Sequence, residues 1–290
     1  MKDFAGKVAV ITGAGSGFGR EFARIGASLG MRLVLADVQA DALAAVVDEL
    51  RERGVEVIGE RVDVSKGDQV ERLAQRTKEA FGKVHLLFNN AGVAAGGLVW
   101  ESTEKDWQWT LGVNLWGVIH GVRCFVPMML EQGDECHVVN TASVAGLLST
   151  QLMGVYNVSK HGVVTLTETL YHDLRLANAN IGVTLLCPAF VPTGIHASER
   201  NRPPELASDS EPTPSMIASQ KATEKATSSG KIGAEGVAKM TFDAIRENRF
   251  YVVTHPKILA SVELRLQDVV AQRNPSDPFT FKKDVAVKPS

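Results

Sequence analysis

Between residue 7 and about residue 190, short apolar runs alternate with longer stretches whose apolar residues recur every three or four positions. The runs "KVAVIT", "RLVLAD", "VEVIGERVD", "VHLLFNN", "CHVVNTAS" and "IGVTLLCP" are rich in Val, Ile and Leu and nearly unbroken, as strands covered on both faces tend to be. Between them, "FGREFARIGASLG", "DALAAVVDELRERG", "DQVERLAQRTKEAFG", the span 104–130 and "YNVSKHGVVTLTETLYHDLRLAN" carry helical spacing. Repeated β-α units with right-handed crossovers predict an α/β fold, a doubly wound parallel sheet with helices on both faces. No internal repeat suggests a solenoid.

From His196 to Gly230 the pattern breaks into Ser, Pro, Thr and charge, which reads as a long excursion, either a mobile lid or a disordered linker. After it, "AEGVAKMTFDAIRENR" predicts a helix, "FYVVTH" a last strand and "ILASVELRLQDVVAQR" a further helix, and the last dozen residues read as frayed. Because the sheet pattern resumes, residues 1–290 read as one domain with a lid-like insertion at about 194–230. A C-terminal extension at about 256–290 could close a neighbouring subunit's pocket.

The chain's 290 residues, 44% hydrophobic and 22% charged, suffice for a large core. A formal net charge of -2 gives no footprint for nucleic acid or an anionic membrane. The apolar run near the amino terminus is too short for a signal or a spanning helix, so a cytoplasmic protein without membrane partners is expected. Cys124, Cys136 and Cys187 form no C-x-x-C pair and lie in apolar runs, which predicts buried free thiols and no metal site. H-E-x-x-H, G-x-S-x-G and G-K-[ST] motifs are absent from the sequence.

The first strand runs into "TGAGSGFGREF", placing Gly13, Gly15, Gly17 and Gly19 before a helix. Glycines there let the backbone approach a pyrophosphate, which free N–H groups at the helix start stabilise. The second strand ends in Asp37, 18 residues after Gly19. A carboxylate there accepts hydrogen bonds from ribose hydroxyls and repels a 2′-phosphate; its bland alternative is a solvated strand end or helix cap. Ser16 and Phe18 in the loop, and Val38 after Asp37, are candidate cofactor neighbours. Neither Ser16 nor Val38 supplies a cation, so NAD is favoured and NADP is the alternative.

Tyr156 and Lys160 stand four apart, which on a helix puts both on one face. A phenol titrating near about 10 is a poor base at neutrality, and a nearby ammonium favours its ionised form. Oxidising an alcohol needs a base for the hydroxyl proton, and Tyr156 fits. Ser143, just past the fifth strand, can orient the substrate oxygen.

Taken in order, "TGAGSGFG", Asp63-Val64, "NNAG" at Asn89 to Gly92, Asn114, Ser143 and "YNVSK" at Tyr156 to Lys160 resemble the short-chain dehydrogenases/reductases over roughly residues 5 to 195. The resemblance implies a Rossmann-type fold. It implies that Asp63 and Val64 contact adenine, and that Asn90, Ala91 and Gly92 line the cofactor channel. Asn114 would kink its helix and hold a water in a proton relay, while Lys160 would also hold the nicotinamide ribose. Pro188, Val191 and Thr193 match the positions that hold the nicotinamide, Thr193 its carboxamide. Ala189 departs from the family's usual glycine. A homodimer or homotetramer is implied as well.

The expected activity is hydride transfer between NAD and a secondary alcohol or ketone, a small-molecule substrate. Apolar residues placed near the pocket, Ala145, Leu147, Met153, Phe190 and Met216, suggest a bulky hydrophobic or aromatic one. The alternatives are an NADPH-dependent 3-oxoacyl-type carbonyl reductase and a non-catalytic NAD-binding sensor or scaffold. Trp100, Trp107, Trp109 and Trp116 read as packing or subunit contacts, and His161 as a helix residue.

Overall fold

The computed structural model describes residues 1–209 and 211–278. Each predicted apolar run is a strand: β1 (Val8–Thr12), β2 (Arg32–Asp37), β3 (Val57–Arg61), β4 (Leu86–Asn89), β5 (Cys136–Thr141), β6 (Ile181–Cys187) and β7 (Tyr251–Val253). All pair in parallel in one sheet of order β3-β2-β1-β4-β5-β6-β7.

Strand side chains alternate between faces, and each face is covered. Ala9 and Ile11 join one core cluster with residues of α1 (Gly17–Ser28), α2 (Ala40–Glu52) and the later helix that includes Phe242. Val8 and Val10 join another with α3 (Gly67–Phe81) and the helices that carry Phe125 and Leu170. On the first face the Phe88 ring stacks on Phe22 at 4.5 Å and meets Phe242 at 5.6 Å. Burying an aromatic or Leu side chain of this kind is worth about 1.5–3 kcal/mol. That double covering explains why the strands lack a polar alternation.

The span 104–132 is helical in three successive pieces, α4 (Glu104–Leu111), a π-helical turn Gly112–Trp116 and α5 (Gly117–Gln132). A capping box between Thr103 and Asp106 starts it, and Gly133, at φ +67°, ends it. Among the described residues it is the one helical run long and apolar enough to cross a membrane. Here Phe125, Val126 and Met129 are buried in the core. The long α6 (Gly154–Leu176) follows β5.

The described part of the excursion is largely helical. Two short 3₁₀ segments, Gly194–Asn201 and Pro204–Leu206, lead to α7 (Pro214–Ser228). Thr213 caps α7 through the Met216 N–H, and Pro214 takes the first helical position, where its missing N–H costs nothing. The Ser219 hydroxyl donates to the Leu152 carbonyl at 2.9 Å, and the Leu98 N–H donates to Ser215 Oγ at 2.9 Å. α8 (Ala234–Glu247) carries Phe242, and α9 (Leu259–Val270) follows β7. The expectation of a frayed tail falls mostly on residues 279–290, outside the described residues.

The strand order turns at β1 and β4, from which the sheet grows outward in both directions. Beyond the carboxyl ends of strands at such a switch point, an α/β sheet leaves a crevice for ligands.

Candidate active site

The loop after β1 is shaped by contacts that no side chain could tolerate. Gly13 has φ +66°, and a Cβ on it would lie 2.9 Å from the Ala91 Cα. A Cβ on Gly19 would lie 2.1 Å from the Gly13 carbonyl oxygen. The loop thus folds flat onto the start of α1, where Ser16 is extended and makes no side-chain cap. The first turn of α1 holds no acidic side chain either, so its N–H groups suit an anion. Asp37, at the end of β2, accepts the Gly15 N–H at 2.8 Å and the Gln39 N–H at 2.9 Å. The loop and the carboxylate are therefore one unit, and its shape fits a dinucleotide.

A cavity of about 470 Å³ runs along the carboxyl ends of the strands. Gly13, Ser16, Gly17 and Phe18 line one end, with Asp37, Val38 and Asp63. Asn90, Ala91 and Gly92 line the middle, and Ser143, Tyr156 and Lys160 the wall beyond β5. Pro188, Val191 and Thr193 close it from the β6 side, with Ala189 beside them. Of the predicted substrate neighbours, Ala145, Met153 and Phe190 are on the wall.

Other predicted residues stand behind that surface. Gly15 and Gly19 shape the loop. Val64 packs against α5, where a Cβ on Gly117 would meet its Cγ2 at 2.7 Å. Leu147 packs with the cluster of Val118, Val163 and Val164, so it is no wall residue. Met216 lies against Gly97. Asn114 is fully buried in the π-helical turn, where the Gly117 N–H reaches back to the Gly112 carbonyl. Its Oδ1 accepts the Val93 N–H at 2.8 Å, and its Nδ2 donates to the Val93 carbonyl and to Ser159 Oγ, both at 3.0 Å. It ties the loop after β4 to α6. A Cβ on Gly92 would lie 3.4 Å from Asn114 Oδ1 and 3.6 Å from Lys160 Nζ, in ordinary contact with both, which places Gly92 beside these two side chains.

Tyr156 and Lys160 lie one turn apart on α6, both buried. Lys160 Nζ donates to the Thr141 carbonyl at 3.0 Å and sits 5.8 Å from the centroid of the Tyr156 ring. Ser143 Oγ donates to the Pro188 carbonyl at 3.3 Å and accepts the Ala145 N–H at 3.2 Å. The pull of a nearby ammonium toward the ionised phenol, expected from the sequence, is here outweighed by burial. Burial pushes Tyr156 up to about 12, opposed by a hydrogen bond with Ser143, and burial lowers Lys160 to about 8. Burial opposes charge on both, yet near neutral pH Tyr156 stays a phenol while Lys160, at about 8, stays mainly an ammonium.

The wall also holds residues that the sequence did not single out. Ala222, Thr223 and Ala226 of α7 line the cavity together with Leu148, Leu152 and Ile258. Ile258, from the start of the C-terminal extension, thus lines this chain's own cavity. Trp109, read from the sequence as a packing or subunit contact, lines it too, with the Arg202 guanidinium 4.8 Å from its ring centroid. Arg202 is in turn paired with Asp106. The helical spacing of Asp106 and Trp109 was visible, but their partner lies about a hundred residues away in the excursion.

Residues 7–204 match the family described as short chain dehydrogenase. Over 278 residues the chain is 34% identical to the CLA biosynthesis dehydrogenase/reductase of Lactiplantibacillus plantarum, covering 95% of this chain and 97% of that one. It is 31% identical over 283 residues to the C alpha-dehydrogenase of Sphingobium sp. strain SYK-6, covering 96% of this chain and 90% of that one. A crystal structure of a short chain dehydrogenase/reductase from Burkholderia phymatum in complex with NAD matches it with a TM-score of 0.95 at 63% identity, covering 96% of this chain and 99% of that one. The glycine loop, the Ser143, Tyr156 and Lys160 wall and these matches lead to one conclusion: the chain belongs to the short-chain dehydrogenase family.

Proposed function

We propose that this chain is an NAD-dependent oxidoreductase acting on a bulky hydrophobic or aromatic secondary alcohol or the matching ketone. The observation that carries the reading is the convergence of Ser143, Tyr156 and Lys160 on the same cavity as the glycine loop and Asp37. Bound NAD supplies the hydride acceptor for the carbinol carbon. Tyr156 takes the hydroxyl proton during oxidation and returns it during reduction. Ser143 holds the substrate oxygen, and Lys160 holds the nicotinamide ribose and stabilises the phenolate as it forms. Asn114 acts through others, holding Val93 and Ser159 so that the cofactor channel and α6 keep their spacing.

Asp37 supports NAD over NADP, since a carboxylate fixed by two backbone N–H groups repels a 2′-phosphate. The Burkholderia relative, crystallised with NAD, agrees. Leu148, Leu152, Met153, Phe190 and Ile258, with Ala222 and Ala226, form an apolar chamber that supports the substrate class. Segment 194–230 serves as a lid on one catalytic domain. The enzyme is a homodimer or homotetramer, a reading that rests on the family.

The test is NADH and NADPH formation across a panel of secondary alcohols, repeated with Asp37→Ala. NADH formation is expected to dominate for aromatic alcohols, with the preference eroded in the variant. Dominant NADPH formation by the unaltered chain would favour a 3-oxoacyl-type reductase instead. NADH binding with no turnover across the panel would favour a sensor.

A further inference from the structure

The cavity wall carries two cations among the described residues, Lys160 and Arg200, and the chemistry above uses only Lys160. Arg200 belongs to the strap that leaves Thr193 beside the glycine loop and crosses toward β2. At the loop end, a Cβ on Gly17 would lie 3.6 Å from Thr193. The next residue, Gly194, touches the guanidinium: its carbonyl accepts from Arg200 Nη1 at 3.1 Å, and a Cβ on it would lie 3.3 Å from Nη2. Nη1 also donates to the Ala197 carbonyl at 2.6 Å. At the β2 end, Asn201 accepts from Gln39 Nε2 at 2.6 Å, and the Gln39 N–H is held by Asp37. The guanidinium is thereby held to the backbone of a strap that runs from the glycine loop to the acidic end of β2, and among the described residues its hydrogen bonds go to backbone carbonyls rather than to a carboxylate.

The glycine loop supplies N–H groups but no charged side chain, because Ser16, Gly17 and Phe18 are all neutral. A helix start contributes roughly half an elementary charge, well short of what a dianionic diphosphate calls for. A guanidinium matches phosphate oxygens in geometry as well as in charge. We infer that Arg200 binds the diphosphate of the dinucleotide and so holds the strap 194–206 closed over it. This rests on the NAD reading above. It gives the strap a direct reason to close when the dinucleotide is present, and carries Pro203 and Leu206 onto the cavity wall with it.

The test titrates NADH, ADP-ribose and adenosine into the unaltered chain, Arg200→Met and Arg200→Lys, with thermal melting as a check on folding. Arg200→Met is expected to weaken NADH and ADP-ribose by about tenfold, the loss of one exposed charge-assisted contact. Adenosine binding is expected to stay unchanged, and Arg200→Lys to recover part of the loss. NADH affinity untouched by Arg200→Met would overturn the assignment. So would an equal loss for adenosine, which means a loosened strap. Failure of the unaltered chain to bind NADH at all would overturn the NAD reading and this inference with it.

Discussion

Lys160 Nζ lies 5.8 Å from the centroid of the Tyr156 ring while it donates to the Thr141 carbonyl at 3.0 Å. The ammonium is committed to a backbone acceptor, and burial sets the direction for both groups, Tyr156 up to about 12 and Lys160 down to about 8. Alcohol oxidation needs the phenolate and ketone reduction needs the phenol. With the phenol raised, kcat/KM for oxidation is expected to climb steadily from about pH 6 to about pH 9, while that for reduction does not climb. Initial rates in both directions check this, and a pH-independent oxidation would contradict it.

His137 is buried in β5, with Nε2 2.8 Å from Thr184 Oγ1. Burial lowers it from 6.5 to about 3, so between those values the unfolded chain binds a proton that the folded chain does not. The stability it contributes is present above pH 6.5 and is lost as pH falls toward about 3. His85 and His120 are lowered by burial too and act in the same direction. His137→Gln is expected to reduce the acid-side slope of unfolding free energy by about 1.4 kcal/mol per pH unit, read from denaturant melts.

Gly19→Ala places a Cβ 2.1 Å from the Gly13 carbonyl, which is backbone and cannot swing aside. A cost of about 1–3 kcal/mol is expected, together with loss of NADH binding. Gly54→Ala is the control. Its φ is positive, at +77°, unlike that of Gly19, so alanine there carries a backbone cost of its own, but nothing lies within 4 Å of the added Cβ and NADH binding is expected to survive.

Ala222 and Ala226 are small side chains on the cavity wall that Leu152 and Phe190 also line. Ala222→Phe is expected to lower kcat/KM for 1-phenylethanol by at least about tenfold more than for 2-propanol. Equal effects on the two alcohols would remove α7 from the substrate chamber.

The sheet was legible in the sequence because its strands are covered on both faces and leave unbroken apolar runs such as "VAVIT" and "TLLC". The polar residues that end those strands were legible for the same reason. Asp37 and Ser143 stand where apolar runs stop, at the end of β2 and just past β5, and both line the cavity. The excursion was harder, because Ser, Thr and charge conceal a helix whose start is marked only by Thr213 and Pro214. Its place is set by distant partners such as Leu98 and Leu152. Leu147 was misplaced because the 3₁₀ turn Val144–Gly146 swings it into the packed cluster rather than the cavity. The direction of the Tyr156 shift needed burial, which spacing along a helix does not report.

The most direct measurement is turnover and NADH affinity of Tyr156→Phe side by side. Phenylalanine keeps the ring packed against α6 and removes only the hydroxyl. The expected result is a fall in kcat of about a hundredfold to ten-thousandfold, the usual worth of a positioned acid or base, with NADH binding unchanged. Near-normal turnover in that variant would contradict the assignment of Tyr156 as the group that takes the substrate's proton.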